Sequence, residues 1–313
     1  FPKTAREKIS KGPLELVKCE EDESGDSCGL LQLAHNFNLN DMYGQNYGYR
    51  SGLNNSMVMH LEKLAQEIQE RIALQKGDLV IDIGSNDGTL LSCYPENGPN
   101  YMGIDPSGKK FAKYYPKHCK LIPDFFSKEI FEKHFGNRKA RVITSIAMYY
   151  DLPDPMGFMQ DIHDCLDNNG VWVVEMSYMP SMVERLSYDT ICHEHYEYYG
   201  LRQIYWMARR VGFHILNVSF NDANGGSFRL FLEKSKTQQK KDDVSVRESL
   251  DSEKTLGFNG LKPYEEFAAR VLEHQSSFKK VVSLLLLLII SSSSPSIISL
   301  LSLLSLSSSV HKL

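Results

Sequence analysis

Two stretches of this chain concentrate residue types that can bind a nucleotide or move a proton. The first is Leu79-Val-Ile-Asp82-Ile-Gly84-Ser-Asn86-Asp87-Gly88, an apolar, β-branched run broken only by Asp82 and followed by a glycine turn. Glycine lets the backbone bend sharply there and lets a ligand approach where a Cβ would clash. The spacing is not the dinucleotide fingerprint, which needs a further glycine after the second. Asn86 and Asp87 also crowd the turn a pyrophosphate would occupy, which disfavours a dehydrogenase. About 20 residues on, the interval found in nucleotide-binding βαβ units, Tyr101-Met-Gly-Ile-Asp105 reads as a strand ending in an acid suited to ribose hydroxyls. Asp82, Gly84, Asn86, Gly88 and Asp105 are therefore the candidate cofactor residues.

The second stretch runs from Ser187 to Tyr199 and packs His193, His195, several acids and four tyrosines into thirteen positions. A histidine beside a carboxylate abstracts protons near neutral pH, and Glu194 is placed to hold or tune it. If extended, the segment puts His193 and His195 on one face and Cys192, Glu194 and Tyr196 on the other. Two blander readings compete: an aromatic mini-core of hydrogen-bonded phenols, and a His-x-His metal spacing that lacks further ligands nearby. Taken alone, Tyr47 and Tyr49 read as packing residues and Gly225-Gly226 as a hairpin turn. Cys19 and Cys28 flank an acidic loop like half of a structural zinc site, with His35 the nearest third donor. Two free thiols are the expectation for this chain, since four ligands are needed.

The elements that must position these groups follow from hydrophobic periodicity. A helix from Asn55 or Ser56 to about Gln75 carries the stripe Met57, Leu61, Leu64, Ile68 and Ile72. Strands at 79–83, 100–105, 119–122, 141–146 and 170–176 then alternate with helical stretches near 88–94, 107–114, 127–135 and 155–166. This alternation predicts an α/β fold whose mostly parallel sheet is covered on both faces. A helix over 201–211 and two strands over 213–220 and 227–232 close the domain with an antiparallel hairpin. Such sheets bind ligands at the carboxyl ends of their strands, so 84–88, 105–107, 147–154 and 176–196 are the expected site segments. Residues 234–262 read as mostly linker, and 263–282 as one more helix.

Composition narrows the class. The chain has 313 residues and a net charge of −4 with no basic footprint, so nucleic acid is not an expected partner. Six scattered cysteines point to a reducing compartment, hence the cytoplasm. Residues 283–309 are nearly all Ser, Leu and Ile, but the unbroken run Leu284 to Ile290 is far short of the roughly 20 residues a membrane helix needs. The 283–313 tail reads as low-complexity sequence rather than a membrane segment. Phe1 is not an initiator methionine, so the chain is expected to begin inside a longer product.

Together these residues resemble the S-adenosylmethionine (SAM)-dependent sugar C-methyltransferase family, truncated here at both ends. The resemblance rests on Cys28-Gly-Leu-Leu-Gln-Leu33, Tyr47-Gly-Tyr-Arg-Ser-Gly52, Met57 with His60, the turn at 84–88, Asp151-Leu-Pro-Asp154, Glu194-His195 and Asn224-Gly-Gly-Ser-Phe-Arg229, and covers about residues 13–232. It implies a class I methyltransferase domain over 54–235, a partial zinc-binding-like arm over 1–53, and a remnant of a C-terminal Rossmann-like domain over 236–282. SAM is the implied cofactor, with zinc in the full-length protein (Cys19 and Cys28 matching), and the implied substrate is a nucleotide-linked keto-deoxysugar. The resemblance implies Glu194 and His195 in deprotonation beside the ketone, with Tyr47 or Tyr49 assisting and His193 nearby. It puts Asn224, Ser227, Asp151 and His60 on the substrate side. Cys192 and Asp151 depart from relatives acting on aminosugars, which tend to carry Tyr and His there. The rival readings are an O- or N-methyltransferase of a small metabolite and a non-catalytic SAM-binding remnant.

Overall fold

A computed structural model describes residues 12–20, 27–37, 42–43, 47–235 and 241–292. The central sheet is assembled from short runs that are apolar on both faces, as a sheet sandwiched between helices requires. Outside it lie β1 (Leu16–Lys18), β2 (Leu31–Leu33) and the short β8 (Glu197–Tyr198); its own strands are β3 (Leu79–Ile83), β4 (Asn100–Ile104), β5 (Cys119–Ile122), β6 (Ala140–Ile146), β7 (Leu166–Ser177), β9 (Phe213–Asn221) and β10 (Ser227–Lys234). Their order is β5-β4-β3-β6-β7-β10-β9. The first five run parallel, and β10 is antiparallel to both β7 and β9. This is the class I methyltransferase architecture the sequence predicted. The order reverses between β3 and β6, where adjacent crossovers leave on opposite faces and a crevice opens at the carboxyl ends.

Alternation along β3 divides the core. Val80 faces α1 (Asn55–Arg71), packing with Leu61, Leu64, Ala65 and Ile68. Ile81 faces the other layer, which holds α4 (Lys128–Phe135), α5 (Pro155–Cys165) and α7 (Leu201–Val211), the intervening helices being α2 (Thr89–Ser92), α3 (Gly108–Phe111) and α6 (Met179–Arg185). Helix α1 is capped by Asn54 rather than by Asn55 or Ser56, the Asn54 side chain accepting the Ser56 N–H, and it ends at Arg71, a turn before the expected end near Gln75.

The N-terminal arm is tied to the segment that carries the candidate base. Strands β1 (Leu16–Lys18) and β2 (Leu31–Leu33) form a hairpin, and β2 pairs antiparallel with β8 (Glu197–Tyr198). The Leu33 N–H donates to the Tyr196 carbonyl at 2.8 Å, and the Tyr196 hydroxyl bonds the Phe37 backbone.

The stretch expected to be linker contains α8 (Val244–Thr255), with Val246 and Glu253 buried. Polar composition hid it, because Glu253 points inward: its carboxylate accepts the Leu201 and Arg202 N–H groups at the start of α7, at 2.6 and 3.0 Å, and the Tyr178 hydroxyl at 2.8 Å. A carboxylate at a helix N-terminus satisfies donors that have no partner within the helix. A second unit starts at Tyr264 and is described to residue 292, within α9 (Lys262–Ser292). Leu272, Phe278 and Val281 on α9 are exposed. No helix among the described residues is long and apolar enough to cross a membrane. The Ser/Leu tail beyond 292 lies outside the described residues.

Candidate active site

A cavity of about 500 Å³ opens at the carboxyl ends of β3, β4, β6 and β7. Volumes of roughly 300–1,000 Å³ are typical of small-molecule sites. All four expected segments contribute to it. One end is built on the glycine turn. Gly84 has φ +71° and lies against Met148, so a Cβ there would come within 3.1 Å of that side chain. Asp82 lines the cavity and accepts the Thr144 hydroxyl at 2.6 Å; burial pushes its carboxyl up to about 7.

Asp105 also lines the cavity and is raised by burial, though less so because hydrogen bonds favour its charged form. One carboxylate oxygen accepts the Ser107 N–H and hydroxyl, both at 2.6 Å, and the other accepts the Asn86 N–H at 2.7 Å. These protein donors hold the carboxylate in place at the cavity wall, where it can accept from a ligand hydroxyl as well. Beside this end stand Phe125, Phe126, Met148, Leu152 and Phe158, an apolar slot for a flat ring.

Two of the candidate cofactor residues do other work. Gly88, with φ +78°, faces the Tyr115 ring, 3.2 Å from where a Cβ would stand, and does not line the cavity. Its conformational freedom serves the left-handed start of α2. Asn86 lines the cavity, but its side chain turns to the N-terminal arm, donating to the Tyr49 carbonyl at 3.1 Å and accepting the Ser51 N–H at 3.0 Å.

The other end holds the proton-transfer candidates. The Ser187–Tyr199 segment is not extended before its last residues, which form β8. A short 3-10 turn spans Tyr188–Thr190, and a second turn closes with the His195 N–H on the Cys192 carbonyl. That turn separates the two histidines. His195 lines the cavity, its ring edge-on to Tyr150, whereas the His193 Nε2 bonds the Gly12 carbonyl and its ring packs on Phe37. His195 Nδ1 lies 2.7 Å from the Thr190 carbonyl. A carbonyl only accepts, so Nδ1 carries the proton and the neutral ring keeps its lone pair on Nε2.

Asp151 faces His195 from the loop after β6. Burial drives its carboxyl well above the usual range, His195 and Tyr43 draw it back, and Glu194 and Cys192 push it further up. Its Oδ1 is buried without a hydrogen-bond partner in the protein. Tyr43, Tyr47 and Tyr49 line the same end, and burial raises all three phenols. Glu194 is exposed and does not line the cavity, yet its charge reaches Asp151, Tyr43 and Tyr47. Behind His195, a small void of about 10 Å³ is bordered by Glu197, whose carboxyl is pushed by burial and by Asp151 up to about 9.

On the substrate side, Asp151 and Asn224 line the cavity, and Ser227 and His60 do not. The Ser227 hydroxyl caps the hairpin by donating to the Ala223 carbonyl at 2.9 Å. His60 Nε2 lies 2.5 Å from Glu175, which also accepts from Arg229 at 2.7 Å and Asn221 at 3.2 Å. Burial raises Glu175, but His60 and Arg229 outweigh it and hold the carboxyl below its ordinary value. This cluster braces α1 against the β7–β10 ladder.

Cys19 and Cys28 approach one another across the β1–β2 hairpin, and burial raises the Cys28 thiol. All six cysteines are free, and no group of three or more His, Cys, Asp or Glu side chains among the described residues is arranged to hold a metal ion. Two thiols do not complete a tetrahedral zinc site.

Tyr43, Phe125 and Phe126 line the cavity from outside the expected site segments. For Phe125 and Phe126 a signal existed: they follow β5 at its carboxyl end, as the other site loops follow their strands.

Comparisons with known proteins agree with this architecture. The family profile described as a methyltransferase domain matches residues 57–218, more than half of the chain. A second, described as the C-methyltransferase C-terminal domain, matches residues 222–286. The C-methyltransferase NovU of Streptomyces niveus is 27% identical over 271 residues, which cover 86% of this chain. The chain spans 63% of that relative's length. Among solved structures, a putative methyltransferase in complex with the Haloferax volcanii Trm112 methyltransferase activator aligns over 61% of this chain and 100% of the other, at 13% identity and a TM-score of 0.46. The CurJ carbon methyltransferase aligns over 59% of this chain and 57% of its own, at 13% identity and a TM-score of 0.45.

Proposed function

Because the chain belongs to the methyltransferase-domain family, we propose that it transfers the methyl group of SAM to a carbon beside a ketone, in a nucleotide-linked deoxysugar. The carbon acceptor is supported by the match of residues 222–286 to the C-methyltransferase C-terminal domain and by the likeness to a C-methyltransferase. The observation that carries the reading is His195, held at Nδ1 by the Thr190 carbonyl, so that Nε2 is the nitrogen left free of a protein partner, in the same cavity as the Gly84–Asp105 end.

Gly84, Asp105 and the apolar slot at Phe125, Phe126 and Met148 fit SAM. Gly84 gives the backbone approach, Asp105 offers carboxylate oxygens to the ribose hydroxyls, and the apolar side chains take a flat purine. When bound there, SAM supplies an electrophilic methyl on a sulfonium. The protein's residues prepare the nucleophile. His195 Nε2 would take the proton from the carbon next to the ketone, leaving an enolate whose carbon bonds the methyl as the methyl–sulfur bond breaks and S-adenosylhomocysteine leaves. A positioned base typically contributes on the order of 10²–10⁴ in rate. The phenols of Tyr43, Tyr47 and Tyr49 stay protonated, because burial raises them, and are donors for the developing oxyanion. Glu194 at the rim and Asp151 inside complete the electrostatics around His195.

The test is hydrogen exchange into a nucleotide-linked keto-deoxysugar in the presence of S-adenosylhomocysteine, where no methyl can move. The wild type exchanges the proton beside the ketone and His195→Ala does not, while both retain affinity for S-adenosylhomocysteine. Equal exchange by both removes His195 as the base.

A further inference from the structure

We propose that Asn86 and Asp87 are positioning residues that latch the tyrosine-bearing arm, residues 47–53, over the cavity, and so couple the cofactor end of the site to the proton-transfer end. The proposal rests on the methyl-donor reading for what occupies the cofactor end, and on bonds within the protein for the latch.

The latch consists of backbone polar groups of an irregular segment held by two side chains of the glycine turn. The Asn86 amide spans the arm like a missing strand, donating to the Tyr49 carbonyl and accepting the Ser51 N–H. Asp87 Oδ2 accepts the Gly52 N–H at 3.1 Å and pairs with Arg50 Nε at 3.1 Å, an ion pair not aligned as a hydrogen bond. Lys110, on the far side of β4, holds the Tyr47 carbonyl at 2.8 Å, and the Arg50 guanidinium lies 3.9 Å over the Tyr114 ring. Between these anchors Tyr47, Tyr49 and Ser51 line the cavity.

Asn86 is also bound on the opposite side. Its own N–H donates to Asp105, the acid offered to the ribose, and its backbone sits at φ +51°, a conformation few residues but asparagine take readily. One residue therefore joins the carboxylate that meets the cofactor to the arm that carries the phenols. Occupancy at Asp105 fixes the Asn86 backbone and with it the amide on which the arm rests. An empty site leaves the arm fewer constraints.

The test is chymotryptic cleavage after Tyr47 and Tyr49 in the full chain, with and without S-adenosylhomocysteine, for the wild type, Asn86→Ala and Arg50→Gln. Thermal melting checks that each variant is folded. Arg50→Gln changes only the arm and leaves the sheet's own bonds intact, so it keeps the test open if Asn86→Ala folds poorly. In the ligand-free protein, losing two neutral hydrogen bonds raises the arm cleavage rate about tenfold or more, and S-adenosylhomocysteine no longer slows it. Turnover of Asn86→Ala falls through kcat, with the KM for SAM nearly unchanged. Unchanged arm cleavage in both variants overturns the latch. So does loss of S-adenosylhomocysteine binding in Asn86→Ala with the arm still protected, which makes Asn86 a cofactor contact instead. A wild type that does not bind S-adenosylhomocysteine in calorimetry overturns the methyl-donor reading, and the ligand-free cleavage rates still decide the latch.

Discussion

Replacing Asp82 with asparagine should make the protein more stable and worse at its task. Asp82 is buried at the end of β3, and its carboxyl titrates at about 7 instead of 3.8. Between those values the folded state binds a proton that the unfolded chain has lost, so stability falls as pH rises from about 4 to about 7. Each pK unit is worth 1.36 kcal/mol, so the displacement amounts to about 4 kcal/mol of destabilisation, complete above pH 7. Asparagine has the same shape and keeps an acceptor for the Thr144 hydroxyl, but it carries no charge. Asp82→Asn is therefore expected to match the wild type near pH 4 and to exceed it by up to about 4 kcal/mol at pH 8. Under the proposed function, the ammonium and sulfonium groups of the cationic methyl donor would favour the ionised acid beside the cavity. SAM affinity should accordingly fall in Asp82→Asn at pH 8. Urea unfolding at pH 4, 6 and 8 with calorimetry of SAM binding reads both effects. A stability difference that does not grow with pH refutes the reasoning.

Other substitutions test other parts of the site. Gly88→Ala should destabilise by about 1–2 kcal/mol through its left-handed backbone and leave S-adenosylhomocysteine affinity intact, whereas Gly84→Ala should lose both, as melting and calorimetry will show. Arg229→Ala strands Glu175 in the core beside His60 and should cost about 3–5 kcal/mol in urea unfolding. Glu197, raised from 4.5 to about 9, is a growing burden as pH climbs through that interval. The melting temperature of Glu197→Gln should therefore equal that of the wild type at pH 4.5 and exceed it most at pH 9.

The elements set by local pattern were predictable from sequence. Strands 79–83 and 119–122 and helix 201–211 fall where β-branched runs and apolar periodicity put them, and the antiparallel β9–β10 hairpin follows from its Asn/Gly turn. What sequence could not supply was set by distant contacts. His193 and His195 part company because β2 grips β8 and the chain turns at Cys192, a contact between segments far apart in sequence. The turn puts Asn86 on the cavity wall, as expected, but the arm that its side-chain amide binds is more than thirty residues away in sequence and left no local signal. Helix α8 was hidden because its one inward charge, Glu253, reads as solvated until the start of α7 is found against it.

Transfer of a labelled methyl tests the central claim most directly. The full chain is incubated in D₂O with SAM carrying a ¹³C methyl and a nucleotide-linked keto-deoxysugar, and the product is read by NMR. The account predicts a ¹³C methyl bonded to the carbon beside the ketone, at the position that lost its proton, and no such product from His195→Ala. A labelled methyl on oxygen or nitrogen, or on carbon at equal rate in His195→Ala, contradicts it.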